Sequence, residues 1–307
     1  MSKIVLIDGL NFGNRAYYQA TNSPALDMAS VELDGETVRT GALTVCLKMI
    51  QSVRKIYPDA FMILCWDAGR GGRVEASGGT YKSNREGSGK EHLYYQLDIF
   101  KEFMISSGVA SAIAYGYEAD DVIACFIEKL KSDVEAVIYS TDKDFYQLLG
   151  RPKTTVHRPV PGKKDDKLVT LDNLEEEFGC TCEHVLLTKV LVGDPSDKIA
   201  GIPSTGKKKI DMKPAYAKSL AKQFSTVDEL YEALDGNTIE ATDIQKKALE
   251  EFREQAKINE DLVSFRRGVT IDYVEPQIDM KKVQDLAHRY KMGKTTVNME
   301  KWAAIFS

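Results

Sequence analysis

Four short apolar runs punctuate the first half of the chain: Ile4–Asp8 (IVLID), Ala60–Asp67 (AFMILCWD), Val109–Tyr115 and Glu135–Thr141 (EAVIYST). Each has the length of a strand. Between them, apolar residues recur at helical spacing. Leu43, Leu47, Ile50 and Val53 do so within Thr40–Tyr57, Leu93, Leu97, Phe100 and Met104 within Glu91–Met104, and Val122, Phe126 and Leu130 within Ala119–Leu130. Strands alternating with helices predict an α/β domain whose mainly parallel sheet is covered on both faces. Arg70–Lys90 breaks the pattern with six glycines, four basic residues before Lys90 and few apolar positions. It reads as a solvated, mobile loop. After about residue 150 the character changes. Thr154–Val160 and Lys167–Leu171 suit a hairpin around PGKKDD, and from Asp172 the segments are mainly helical. The expected division is an α/β domain over 1–160, with its loop at about 70–90, and a helical domain with a C-terminal tail over 161–307. That tail, partly amphipathic in VQDLAHRYKM, is expected to dock on the core or on a partner.

Composition sets bounds on this picture. The 307 residues are 43% hydrophobic, enough for one large core or two smaller ones. No apolar run approaches the roughly 20 residues that span a bilayer. The opening MSKIVLIDGL reads as a first strand and not as a signal peptide. Five cysteines, odd in number and mostly inside apolar runs, suit reduced thiols in a cytoplasm. Cys180 and Cys182 lack zinc-finger spacing. The net charge of −5 speaks against a nucleic-acid binder. Yet nine carboxylates fall into one pattern, and the rest of the chain without them is net positive, so basic contact surfaces remain available.

Those nine carboxylates carry the chemistry. Asp8 ends the first predicted strand and Asp67 the second. Glu118, Asp120 and Asp121 follow the third strand and open a helix, and Asp142 and Asp144 follow the fourth. In a parallel sheet these positions share one edge, beyond the carboxyl ends of the strands. Asp194 and Asp197, in VGDPSDKIAGIP, belong to the helical half and are placed to fold back to that edge. Taken singly, each group also suits a helix cap or a turn. Taken together, like charges so close would raise one another's pKa strongly. Two Mg²⁺ or Mn²⁺ ions would balance them with hard-cation chemistry. A metal pair about 3.5–4 Å apart suits in-line attack on a phosphodiester.

On these residues the chain resembles the flap-endonuclease and 5′→3′ exonuclease family, which includes phage 5′-exonucleases, phage ribonuclease H enzymes and the 5′-nuclease domain of bacterial DNA polymerase I. The matching pieces are IDGLNFGNRAYY, CWDAG, TYKSNRE, YEADDVIA, STDKDFYQLL and VGDPSDKIAGIPSTGKKK, in family order over about residues 4–210, with INEDLVSFRRGVTI beyond them. The resemblance implies a PIN-like α/β domain followed by a helical, helix–turn–helix-type DNA-binding domain. It implies that Asp8, Asp67, Glu118, Asp120 and Asp121 form a first metal cluster, and Asp142, Asp144, Asp194 and Asp197 a second. It places Lys82 and Arg85 of TYKSNRE on an arch where they approach the scissile phosphate. Tyr81 becomes a candidate for stacking on a base, with Tyr17 and Tyr18 weaker ones. Gly201, Ser204, Gly206, Lys207, Lys208 and Lys209 become the duplex-backbone segment. The family commonly has glycine where Ser204 stands and threonine where Lys209 stands, which bears on a K⁺ ion at that segment.

The activity implied is hydrolysis of phosphodiesters near a free 5′ end, in 5′ flaps, nicked or gapped duplex DNA, or RNA primers on DNA. Other implications are a stand-alone monomer without membrane attachment, in a bacterial or phage-infected cytoplasm, helped by a single-strand-binding or clamp protein. Three other readings compete. A catalytically silent holder of branched DNA would lack metal ligands, yet all nine positions are acidic. A PIN-type ribonuclease leaves GIPSTGKKK, the arch-like loop and the second acidic group unexplained. A haloacid-dehalogenase-type phosphatase needs a second Asp where Leu10 stands.

Overall fold

The computed structural model describes residues 3–85, 91–151, 153–160, 166–203 and 214–306. Its centre is a seven-stranded sheet. The chain enters at β1 (Lys3–Asp8) and leaves through helices α1 (Gly9–Thr21) and α2 (Pro24–Asp27). A small hairpin of β2 (Ser30–Leu33) and β3 (Glu36–Arg39) leads into α3 (Gly41–Ile56) and β4 (Phe61–Trp66). Then come α4 (Arg73–Ala76), α5 (Glu91–Ser106), β5 (Ala110–Ile113), α6 (Ala119–Lys129), β6 (Glu135–Tyr139), β7 (Thr154–Arg158), β8 (Lys167–Val169) and α7 (Leu171–Phe178). The helical half holds α8 (Val185–Val192), α9 (Pro214–Ala221), α10 (Val227–Asp235) and α11 (Asp243–Val263), followed by β9 (Asp272–Val274), α12 (Met280–Arg289) and α13 (Met299–Phe306).

The strand order is β8-β7-β6-β1-β4-β5-β9. The inner strands β7, β6, β1, β4 and β5 are parallel, and β8 and β9 are antiparallel edges. All four predicted strands are present. The strand period of two separates the sheet's faces. Val5, Ile7, Met62, Leu64, Val137 and Tyr139 point into one core, which α1, α3 and α5 cover. Ile4, Leu6, Ile63, Cys65, Ala112 and Ile138 point into the other, which α6 covers. The expected hairpin exists, with Val156 opposite Val169, but β7 also pairs in parallel with β6 and so extends the main sheet. The PGKKD part of its connection, 161–165, lies outside the described residues.

The tail packs on the sheet half. β9 pairs with β5, and Val283, Leu286, Trp302 and Phe306 of α12 and α13 join the first core. Trp302 is fully buried and donates its indole N–H to Ser107 Oγ at 2.8 Å. Helices α8 to α11 build a third core from Leu187, Val190, Leu220, Leu230, Leu249 and Phe252. No helix among the described residues is long and apolar enough to cross a membrane.

The stretch expected to be a solvated loop is largely structured where it is described. It contains α4 and a short 3-10 turn at Ser83–Arg85. Arg73 is 1% and Tyr81 4% exposed, because both are covered by the helical half, and Tyr81 packs in the third core. Residues 86–90 lie outside the described residues.

Candidate active site

The carboxyl ends of the parallel strands place the acids. Asp8 is the last residue of β1 and also caps α1: its Oδ1 accepts the Asn11 amide at 3.0 Å and its Oδ2 accepts the Ser140 hydroxyl at 3.2 Å. Asp67 follows β4 and accepts the Ala119 amide at the start of α6 at 3.0 Å. Glu118 is the N-cap of α6 and Asp120 lies in its first turn. Asp142 follows β6; its amide is donated to Ser140 Oγ, and its Oδ1 accepts the Asp144 amide at 2.9 Å. Asn11 ties the two strand ends together, donating to the Thr141 hydroxyl at 2.7 Å and accepting the Thr141 amide at 3.2 Å.

These ends surround one cavity of about 370 Å³. Asp8, Asp67, Glu118, Asp120 and Asp142 line it, together with Asn11, Asn14, Arg70, Lys82 and Tyr94. Five of the nine predicted acids therefore share one basin. A second group stands beside it. Lys189 of α8 forms ion pairs with Asp144 and with Asp194, and Asp194 also accepts the Ser196 amide at 2.9 Å. Asp197 lies 4.0 Å from Lys82. Among the described residues no group of three or more acidic, His or Cys side chains stands at ready-made metal-ligand spacing. Side-chain cations occupy the space instead: Lys82 donates to Glu118 Oε1 at 2.7 Å, and Arg73 lies 3.4 Å from Glu118 Oε2.

The unbalanced charge shows in the proton affinities. Burial pushes Asp8 up to about 7, with Asp67 adding to it and the Asn11 amide opposing. Burial pushes Asp144 up to about 7, with Asp142 adding and Lys189 opposing. Asp120 is raised well above the usual carboxylate range by burial, then by Glu118 and Asp121. Burial also acts to raise Asp194, but the Ser196 hydroxyl and Lys189 hold it below its ordinary value. Hard oxygen donors whose mutual repulsion is only partly offset suit divalent cations.

A pH dependence follows. Between about pH 4 and 7 the unfolded chain has released the protons of Asp8 and Asp144 while the folded chain still holds part of them, so stability falls as pH rises through that window. In a chelating buffer the melting temperature should drop from pH 5 to pH 7.5, and saturating Mn²⁺ should reverse the trend at the upper end. A chelated protein that gained stability over this range would contradict the basin's electrostatics.

The structure departs from the sequence reading at several residues. Asp121 does not line the basin; it is fully buried behind it, paired with Arg73. Tyr81 is no stacking platform as placed, because its ring is in the third core and its hydroxyl donates to Glu118 Oε2 at 3.0 Å. Gly201 is buried too: a Cβ there would lie 2.2 Å from Val192 O, so the position serves a close chain crossing next to Gly193. Arg85 ends the 3-10 turn after Lys82. Ser204, Gly206, Lys207, Lys208 and Lys209 lie outside the described residues.

Sequence reasoning missed Asn11, Arg70, Tyr94 and Lys189. For Lys189 a signal existed, since it is the single charge within the apolar helix VLLTKVLV. Tyr94, in the first turns of α5, is 52% exposed at the cavity wall and is the aromatic side chain open to that space among the described residues that line it.

Comparison with known proteins agrees with this fold. Residues 3–179 match the model of the 5′–3′ exonuclease N-terminal resolvase-like domain, and 180–286 that of the 5′–3′ exonuclease C-terminal SAM fold. The chain is 31% identical over 268 residues to a 5′–3′ exonuclease of Mycoplasma pneumoniae, covering 86% of this chain and 89% of that protein. It is 29% identical over 272 residues to DNA polymerase I of Bacillus subtilis, covering 88% of this chain but only 28% of the polymerase. In fold it is similar to the T5 D15 protein co-crystallised with metal ions, at a TM-score of 0.63 and 18% identity, covering 99% of this chain and 100% of the other. A T5 D15 flap endonuclease complex with DNA and metal ions has a TM-score of 0.62 at 18% identity, over 99% of this chain and 97% of that one. Two family models that together span most of the chain, over a sheet whose acids gather at one edge, make this protein a member of the 5′–3′ exonuclease family.

Proposed function

We propose that the chain is a divalent-metal-dependent, structure-specific 5′-nuclease that hydrolyses phosphodiesters near 5′ ends, in 5′ flaps, nicked or gapped duplexes, or RNA primers on DNA. One observation carries this reading: Asp8, Asp67, Glu118, Asp120 and Asp142 reach a single cavity from four separate strand ends. In this reading Asp8, Asp67, Glu118 and Asp120 would hold one cation, and Asp142, Asp144, Asp194 and Asp197 a second. Mg²⁺ or Mn²⁺ bound there lowers the pKa of water and stabilises charge on the phosphate oxygens. The chain's own groups do the rest. Asn11 and Ser140 tie the ends of β1 and β6 together and so hold Asp8 and Asp142 at the basin wall. Lys82, held at the basin wall by Glu118, would supply positive charge to the phosphate, and Arg85 stands three residues further on, at the end of the 3-10 turn. Tyr94 offers an aromatic face at the cavity wall for an unpaired base.

The sheet half to about residue 160 would carry the chemistry, and the helical half would hold the duplex, with 201–209 meeting phosphates and, in this reading, K⁺. A cytoplasmic monomer working with a single-strand-binding or clamp protein fits the same picture. A silent DNA-holding relative is the second reading, and the amines seated among the carboxylates are the observation that favours it.

The deciding experiment uses 5′-labelled flap, nicked and RNA–DNA substrates with Mg²⁺, with Mn²⁺ or with EDTA. Release of short 5′ products with either metal and none with EDTA is expected. Tight binding without cleavage under every condition would favour the silent holder, and cleavage unaffected by EDTA would overturn the metal reading.

A further inference from the structure

Arg73 stands where the loop at the base of α4, the first turn of α6 and the end of α11 meet. Its Nε donates to Leu262 O at 3.0 Å and its Nη2 to Ser264 O at 2.9 Å. These are among the terminal carbonyls of α11, which no later turn of that helix can satisfy. The same guanidinium grips Asp121 end-on, Nη1 to Oδ2 at 2.9 Å and Nη2 to Oδ1 at 2.7 Å. Asp121 accepts two further bonds, from the Arg266 amide at 2.6 Å and from the Glu118 amide at 3.2 Å. A carboxylate has about four acceptor positions, so this one is filled by protein donors. Asp120, one residue earlier, differs: its Oδ1 takes the Asp121 amide, and the side chain lines the cavity.

We infer that Asp121 is an anchor and not a cation ligand, and that the Arg73–Asp121 pair is the device by which the end of α11 positions Glu118. The route is short. Asp121 holds the Glu118 amide, Arg73 lies beside the Glu118 carboxylate, and both are locked to the helical half through Leu262, Ser264 and Arg266. Docking of α11 and orientation of a basin carboxylate thus share one guanidinium. Arginine suits this place because its planar fork serves a carboxylate and two carbonyls together, which a lysine amine cannot do. Arg73 is a positioning residue in this account. The inference rests on the proposed function only in taking the basin as a cation site.

The test uses the full chain and Mn²⁺ itself, with binding read from the free-ion electron paramagnetic resonance signal and unfolding from a chelated melt. Asp120→Asn should weaken Mn²⁺ binding about a hundredfold and leave the chelated melting temperature equal or higher, since it removes a repelling charge. Asp121→Asn should melt several degrees lower, keep the wild-type number of Mn²⁺ ions and lose at most about tenfold in affinity, the low end for a group acting through a ligand. Arg73→Lys should match Asp121→Asn in both readouts, and the double variant should add little, as expected for partners in one interaction. Asp121→Asn losing Mn²⁺ as severely as Asp120→Asn, with its melt unchanged, would overturn the inference. If the wild-type chain bound no Mn²⁺, the cation reading of the basin would fail, and the link would be judged by the melts alone. An Arg73→Lys melt equal to wild type would then sink it.

Discussion

Asp8→Asn should lower the single-turnover rate of 5′-flap cleavage by on the order of 10³-fold, about 4 kcal/mol in the barrier. No other acid is placed so centrally. Asp8 sits on the central strand β1, its carboxylate is oriented by the Asn11 amide and the Ser140 hydroxyl, and Asp67 and Asp142 press on it from neighbouring strand ends. Asparagine preserves the shape: its Oδ1 can still accept the Asn11 amide, and its Nδ2 can donate to the Ser140 hydroxyl oxygen in place of the bond now accepted there, so the fold should survive. What is lost is the negative charge that a bound cation needs. Without metal the same substitution should raise the melting temperature above pH 7, because it removes a carboxylate that burial and its neighbours already hold near neutrality. Opposite signs in activity and stability would mark a group kept for function at a cost in folding. A variant cleaving within tenfold of wild type at saturating Mg²⁺ would take Asp8 out of the cation site.

The contrast between Asp8 and Asp121 marks how far the sequence could be read. The apolar runs ending at Asp8, Asp67, Tyr115 and Thr141 have the length of strands, and the acids at or after their ends could be placed on one edge by topology alone. Helix α1 was not visible as a period, because its buried face is built from Gly9, Phe12, Gly13, Ala16 and Ala20, small residues with faint hydrophobic contrast. Arg73 and Tyr81 sit in a glycine-rich polar stretch and so looked solvated. Their burial comes from α11 and its neighbours, more than a hundred residues away, and no local pattern encodes that contact. Asp121 was grouped with Asp120 by adjacency. On a helix, neighbours point about 100° apart, so one turns to the basin and the other to Arg73. Lys189 has the reverse history: the sequence showed a lone charge in an apolar helix, and its meaning appears only when Asp144 and Asp194 arrive on either side.

Lys82→Ala should reduce cleavage by about 10²–10³-fold, the usual loss for one donor aimed at developing charge, while leaving binding of the same flap in EDTA within a few fold. The backbone argues that this lysine is held deliberately. Its φ of +51° lies in the left-handed region, which costs a non-glycine residue about 1–3 kcal/mol and persists only where contacts over-determine it. The contacts are present: its amide donates to Asp197 O at 3.1 Å, its amine to Glu118 Oε1, and the amine also lies 4.8 Å from the centre of the Tyr81 ring. The amine is thus held at the wall of the basin. Removing it leaves Glu118 held by Tyr81 and next to Arg73, so the alanine variant should fold. Lys82→Arg keeps the charge on a longer, planar head, and should recover part of the rate but not all of it. If Lys82→Ala lowered the melting temperature yet cleaved at the wild-type rate, the lysine would be a counter-ion for Glu118 and nothing more. A lost rate with an unchanged melt would place its positive charge on the phosphate.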